Sequence, residues 1–255
     1  MKTIANTLPV RASFSIQAGA AWGLMLAVSS LPDILFRELT GSLPGWLYWM
    51  KVALLAVLLA TAFAWNRLRS LRLYFAALLG LYVIQWGVSE IFTRLNGSSW
   101  FAGRIPFVSS LLSVEAPRVA IAFLMVLYLV ALTRDLSRFY FVPGLRDAIA
   151  STIPGIMTQP TPWKRLGPIV CICLLGGMAV ITWLMGTHPG IRQFAAAAPL
   201  LPWILLFAAS NAFGEELSYR ATLLAGLAGP LGSSQALGIS AVILAWPIFT
   251  ACLTG

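Results

Sequence analysis

The sequence predicts an all-α protein, a polytopic transmembrane helical bundle of about seven spans, each close to the ~20 apolar residues a bilayer core demands. Three observations carry that prediction. Hydrophobic residues make up 59% of the 255 and charged residues only 10%, against about 25% charged in a typical soluble domain. Mean hydropathy is +0.86. The apolar runs are long and continuous rather than alternating, and helices are the structure that satisfies such a backbone inside lipid.

In chain order the spans fall near 12–31, 46–65, 71–92, 117–133, 166–186, 200–220 and 236–253. Lys2 and Arg11 precede the first, as in a secretory leader, but the run is long and leads into further spans, so it reads as an uncleaved helix. Lys51 sits in the early turns of the second span, within snorkelling reach of the headgroups. Glu90 and Arg94 have the i,i+4 spacing of an interfacial ion pair near the end of the third. Segment 100–112 is apolar but short and contains Arg104 and Pro106, which predicts an interfacial or re-entrant piece. Glu115 and Arg118 flank Pro117 at the expected start of the fourth span, where the helix dipole favours an acid. The longest polar connection, 133–165, carries Pro143-Gly144, Pro154-Gly155, Pro160 and Pro162 as turn signals. Trp46, Trp49, Trp65, Trp163 and Trp203 lie near span ends, where indole rings anchor at the headgroups.

The net charge of +9 is not gathered into a basic cluster with interleaved aromatics, so it predicts no nucleic-acid partner. It reads as loop charge that sets a topology and meets anionic lipid. One side collects Lys2, Arg11, Arg67, Arg69, Arg72, Arg134, Arg138, Arg146, Lys164 and Arg165; the other has Arg37, Lys51, Arg94, Arg104, Arg118 and Arg192. This asymmetry predicts a cytoplasmic N-terminus, in a multi-pass protein that fits a bacterial inner membrane. Cys171, Cys173 and Cys252 all lie in apolar runs, and a Cys-x-Cys spacing turns two thiols onto different helix faces, so neither a disulfide framework nor a metal site is expected. No cofactor is implied.

Against this background one stretch stands out: Gly214-Glu215-Glu216-Leu217-Ser218-Tyr219-Arg220. Ionisable groups at membrane depth are costly and usually face a partner or a wet cavity. On a helix Glu216 and Arg220 are spaced i,i+4 with the acid first, the favourable order for a pair. Glu215 lies about 100° around the helix from Glu216 and points elsewhere. Two adjacent carboxylates suit general acid–base work, one taking a proton from water while the other orients the reacting group. A structural salt bridge at a helix end is the alternative reading of the same residue types. Asn211 lies one turn before Glu215 on the same face, placed either to hydrogen-bond it or to hold neighbouring helices together. Gln85 is equally open. His188, the only histidine, falls in the 186–190 loop and reads as solvated.

The run Phe213-Gly214-Glu215-Glu216-Leu217-Ser218-Tyr219-Arg220-Ala221-Thr222-Leu223-Leu224 resembles the EExxxR motif of the CPBP family of intramembrane proteases. That family takes in CAAX prenyl endopeptidases, bacteriocin-processing and self-immunity proteins, and proteins formerly called abortive-infection proteins. The aromatic Tyr219 before the arginine, the leucine-rich continuation and the small-residue turn Gly229-Pro230-Leu231-Gly232 are similar too. The likeness covers 133–255, while 1–132 matches only as generic membrane helices.

The resemblance implies water activation at Glu215, with Glu216 and Arg220 in the second acidic and the arginine positions. It implies a cofactor-free endopeptidase acting on a membrane-associated protein or peptide. The family's FxxxH motif has as its best register here Leu244-Ala245-Trp246-Pro247-Ile248, with Leu in place of Phe and Ile in place of His. The apolar ending Thr250-Ala251-Cys252-Leu253-Thr254-Gly255 fits a C-terminally shortened or degenerate member. A non-catalytic membrane scaffold or bacteriocin self-immunity protein is the alternative. A small transporter is a further one, though no internal repeat is visible.

Overall fold

The fold is that of a computed structural model, described for residues 16–96, 106–135, 147–150, 159–186, 188, 190–217 and 222–241. Its helices are α1 (Ile16–Val28), α2 (Leu31–Thr40), α3 (Trp46–Ala64), α4 (Arg72–Asn96), α5 (Pro106–Thr133), α6 (Trp163–Leu184), α7 (Ile191–Ala197), α8 (Leu201–Glu215) and α9 (Thr222–Leu231). A last described helix, α10, covers 233–241. Among the described residues, five helical stretches are long and apolar enough to cross a membrane, or six if α1 and α2, bent by 43°, make one span. The protein is therefore a helical, polytopic membrane protein. The expected span at 236–253 lies largely outside the described residues.

The chain forms two compact units, 1–140 with 207–255, and 141–206. In the first, α4 is central and packs against α3, α5 and α9. Its Tyr74, Phe75 and Leu78 meet Met25 and Val28 of α1, Leu55 of α3, and Leu223 and Leu227 of α9 in one buried cluster. Large apolar side chains such as Val57, Phe63 and Phe123 remain outward, as a lipid-facing surface requires. Two glycines set the helix spacing. A Cβ on Gly80 would strike the Tyr128 ring of α5, and one on Gly226 would lie 2.8 Å from the Tyr74 Cα.

α1 ends at Val28, close to the expected end of the span at 31, and α2 follows after a 43° bend for a local reason. Pro32 has no N–H, so the Val28 carbonyl loses its i+4 donor. The carbonyl is taken instead by the Tyr82 hydroxyl from α4. Lys51 Nζ of α3 takes the Ser29 carbonyl at 2.8 Å and the Asp33 carboxylate at 2.7 Å. Ser29 Oγ donates to the Leu26 carbonyl at 2.9 Å and accepts the Leu31 N–H at 3.2 Å. Lys51 is thus buried in an ion pair, 3% exposed, and does not snorkel to the surface. The freed carbonyls of the break account for this, since they supply polar partners inside the bundle.

α5 also departs from expectation. It begins by Pro106 and runs through Pro117 without ending, so 106–112 is continuous helix and not a separate re-entrant piece. Glu115 and Arg118 consequently lie within the helix rather than at its N-terminus. Apolar sequence on both sides sustains the helix, and membrane helices tolerate an internal proline whose freed carbonyl finds another partner. Residues 100–105 lie outside the described set.

Arg72 closes α3, its Nε donating to the Ala62 carbonyl at 2.8 Å and its Nη2 to that of Phe63 at 3.1 Å. α9 continues through Gly229 and Pro230 and turns only at Gly232, whose φ of +80° is the left-handed conformation favoured at a helix end.

In the second unit, Ile149–Ala150 (β1) pairs antiparallel with Thr161–Pro162 (β2), with Ile149 opposite Pro162 and Ala150 opposite Thr161. This short pairing brings Asp147 to Lys164, 2.6 Å apart, at the start of α6. The expected loop histidine, His188, is exposed and stands with its ring 4.3 Å from that of Trp183.

Candidate functional site

α8 supplies the acidic motif. Pro202 suits its first turn, where a missing N–H costs nothing. The helix then runs to Glu215 and widens into a π-helical turn at Glu216 and Leu217. Beyond the turn, the buried Thr222 donates its hydroxyl to the Leu217 carbonyl at 2.9 Å, closing the chain back onto the motif. Single π-turns of this kind place side chains off the regular helical register and are frequent at functional sites.

Glu215 and Glu216 are both exposed on the protein surface. Arg220 lies outside the described residues, as do Ser218 and Tyr219, so the expected Glu216–Arg220 pair does too. The structure does join Glu215 to Asn211, whose Nδ2 donates to Glu215 Oε1 at 3.1 Å across one helical turn. That is one of the two roles the sequence leaves open for Asn211. Among the described residues, no other hydrogen bond reaches the Glu215 carboxylate.

The amide of Asn211 is itself held from α5. Arg118 Nη1 donates to Asn211 Oδ1 at 2.7 Å and to Glu115 Oε1 at 2.9 Å. Ser210 Oγ has the second Glu115 oxygen, Oε2, at 3.0 Å and the Phe207 carbonyl at 2.9 Å as acceptors that share its one proton. Glu115 is 5% exposed, whereas the Arg118 side chain is half exposed. A buried carboxylate is tolerable only when paired and hydrogen-bonded, and both oxygens of Glu115 meet that condition. The result is a polar ladder, Ser210–Glu115–Arg118–Asn211–Glu215, crossing between two apolar helices. Gly214 is buried beside it, with the Arg118 carbonyl 4.0 Å from where a Cβ would stand, an ordinary contact distance.

Sequence reasoning finds the α8 half of this ladder through its i,i+4 spacing and misses the α5 half. The available signal is the charged pair Glu115 and Arg118 inside an apolar stretch, which the proline between them disguises as a helix start. Glu90 and Arg94 pair at 2.8 Å on the surface with the expected i,i+4 geometry. Gln85 is half-buried on α4. Among the described residues, no three His, Cys, Asp or Glu side chains come together in a way that would hold a metal ion. Cys171 and Cys173 are exposed, unbridged thiols on α6.

No protein-family model, curated protein or solved structure matches this chain.

Proposed function

We propose that this chain is an intramembrane endopeptidase of the CPBP type, working at Glu215 without a cofactor on membrane-associated proteins or peptides. The single observation that supports the reading is the state of the Glu215 carboxylate. One oxygen accepts from Asn211 at 3.1 Å, and the other has no hydrogen-bond donor among the described residues, at the exposed end of a polar ladder between apolar helices. A carboxylate held in that way can take a proton from water. The hydroxide then adds to the substrate carbonyl carbon, and the proton passes to the departing amine as the peptide bond breaks. Glu216 and Arg220 orient the water or hold the substrate backbone. In this reading the protein sits in a bacterial inner membrane with its N-terminus in the cytoplasm, following the distribution of basic residues.

A second reading, a non-catalytic membrane scaffold or self-immunity protein of the same ancestry, is favoured by one specific observation. The chain has a single histidine, and His188 stands in segment 141–206 against Trp183 rather than in the motif. Leu244 and Ile248 occupy the FxxxH register. The two readings part in a cleavage assay on purified protein in liposomes, with membrane-inserted peptides as substrate. The endopeptidase reading expects turnover by the wild type and its loss in Glu215→Gln. Equal product from both proteins refutes Glu215 as the water-activating group, and no product from either leaves the scaffold reading standing.

A further inference from the structure

We infer that Arg118 is a positioning residue for Glu215, acting through the side-chain amide of Asn211; this rests on the reading of Glu215 as the water-activating group. A guanidinium carries donors only, whereas an asparagine amide has an acceptor at one end and donors at the other. Arg118 Nη1 lies 2.7 Å from Asn211, so it is the amide oxygen that must face it. The NH2 end is thereby turned toward Glu215, which it meets at 3.1 Å. Arg118 thus decides which way the amide points, and the amide decides how the Glu215 carboxylate is rotated.

Arg118 is in turn held from behind. Glu115 is buried, accepts from Arg118 Nη1 at 2.9 Å, and has its other oxygen tied by Ser210 at 3.0 Å. Ser210 and Asn211 are neighbours on α8, so α5 and α8 are clasped at two adjacent points. Without Arg118 the amide loses its orienting charge, and either of its ends can face Glu215. An amide oxygen facing a carboxylate repels it and swings it out of line. The catalytic cost is one of geometry, of the kind that reaches about 100-fold for a displacement near 1 Å.

The test has two arms. The first needs no turnover: infrared spectra of the protein in liposomes identify the Glu215 carboxylate band as the one lost in Glu215→Gln. The band is expected to shift in Arg118→Gln and in Asn211→Leu, with no further shift in the double variant, and to return toward its wild-type position in Arg118→Lys, which restores a donor-only cation. An unmoved band in Arg118→Gln overturns the inference, and so does a shift that adds to that of Asn211→Leu, because Arg118 would then act by another route. The second arm is cleavage, where Arg118→Gln is expected to lower kcat roughly 10- to 100-fold with KM changed less than about twofold, since a positioning residue does not bind substrate. Equal turnover by wild type and Glu215→Gln refutes the endopeptidase reading, while the infrared arm still decides the role of Arg118. Thermal unfolding of each variant separates loss of position from loss of fold.

Discussion

Tyr82 on α4 donates its hydroxyl to the carbonyl of Val28, the last residue of α1. That carbonyl is the acceptor orphaned by Pro32, so a residue 54 positions away repairs a defect that the proline makes locally. The repair joins the end of α1 to the central helix. Tyr82→Phe keeps the ring and removes only the hydroxyl, leaving the Val28 carbonyl without a donor inside the bundle. The expected loss is about 1–2 kcal/mol of stability, measured by reversible unfolding in mixed micelles. Restoring an N–H with Pro32→Ala in the Tyr82→Phe background should recover part of that loss. No recovery would mean that the orphaned carbonyl is not what the hydroxyl serves.

Lys51 stabilises the same break from α3. Its ammonium is buried against Asp33 and the Ser29 carbonyl, while Asp33 is 30% exposed. Lys51→Met strips both groups of their donor. Breaking a fully buried pair costs about 3–5 kcal/mol, and the partial exposure of Asp33 lowers the expectation to roughly 2–3 kcal/mol. Asp33→Asn is expected to cost at least as much, because it leaves the buried Lys51 ammonium without a counter-charge, whereas the part-exposed Asp33 left by Lys51→Met can still be hydrated. The order of the two variants in a thermal melt is the check, and a clearly smaller loss in Asp33→Asn would contradict it.

Two glutamates with arginine partners should behave oppositely. Glu90 pairs with Arg94 on the surface, with side chains 47% and 78% exposed, and Glu90→Gln is expected to change stability by less than about 0.5 kcal/mol. Glu115 is buried and uses both oxygens, so Glu115→Gln presents an NH2 where Arg118 or Ser210 needs an acceptor. The expected loss is about 1–3 kcal/mol. Unfolding midpoints of both variants, recorded under one condition, decide the contrast.

The fold was legible wherever it depended on long apolar runs. α3 occupies 46–64 where 46–65 is expected, and α6 occupies 163–184 where 166–186 is expected. The end of the first span was legible too, since α1 stops at Val28 near the expected 31, but α2 beyond it was not. Legibility failed at Pro117, which leaves intact a helix that reads as starting there. The carbonyls freed at the end of α1 are taken by side chains of other helices, and periodicity along the sequence holds no record of them. The candidate site divides in the same way. Glu215 and Asn211 are neighbours through helical spacing alone, whereas Arg118 is 93 positions from Asn211 and reaches it only through packing.

The contact of α9 with α4 is made through Gly226. A Cβ on Gly226 would stand 2.8 Å from the Tyr74 Cα and 3.0 Å from its backbone nitrogen. These are atoms of the helix backbone, which no rotamer change can move aside, so α9 must back away from α4. Leu223 and Leu227 on the same helix belong to the buried cluster around Tyr74 and would lose part of their packing. Gly226→Ala is expected to cost about 1–3 kcal/mol, the range for overpacking a close-fitted core. Gly229, three residues on in the same helix, has open space at its Cβ position. Gly229→Ala gains helix propensity with no clash, and a change between neutral and about 1 kcal/mol stabilising is expected. Melting curves for the two alanine variants test the claim together. If both shift alike, helix propensity alone accounts for them, and α9 does not rest on α4 through Gly226.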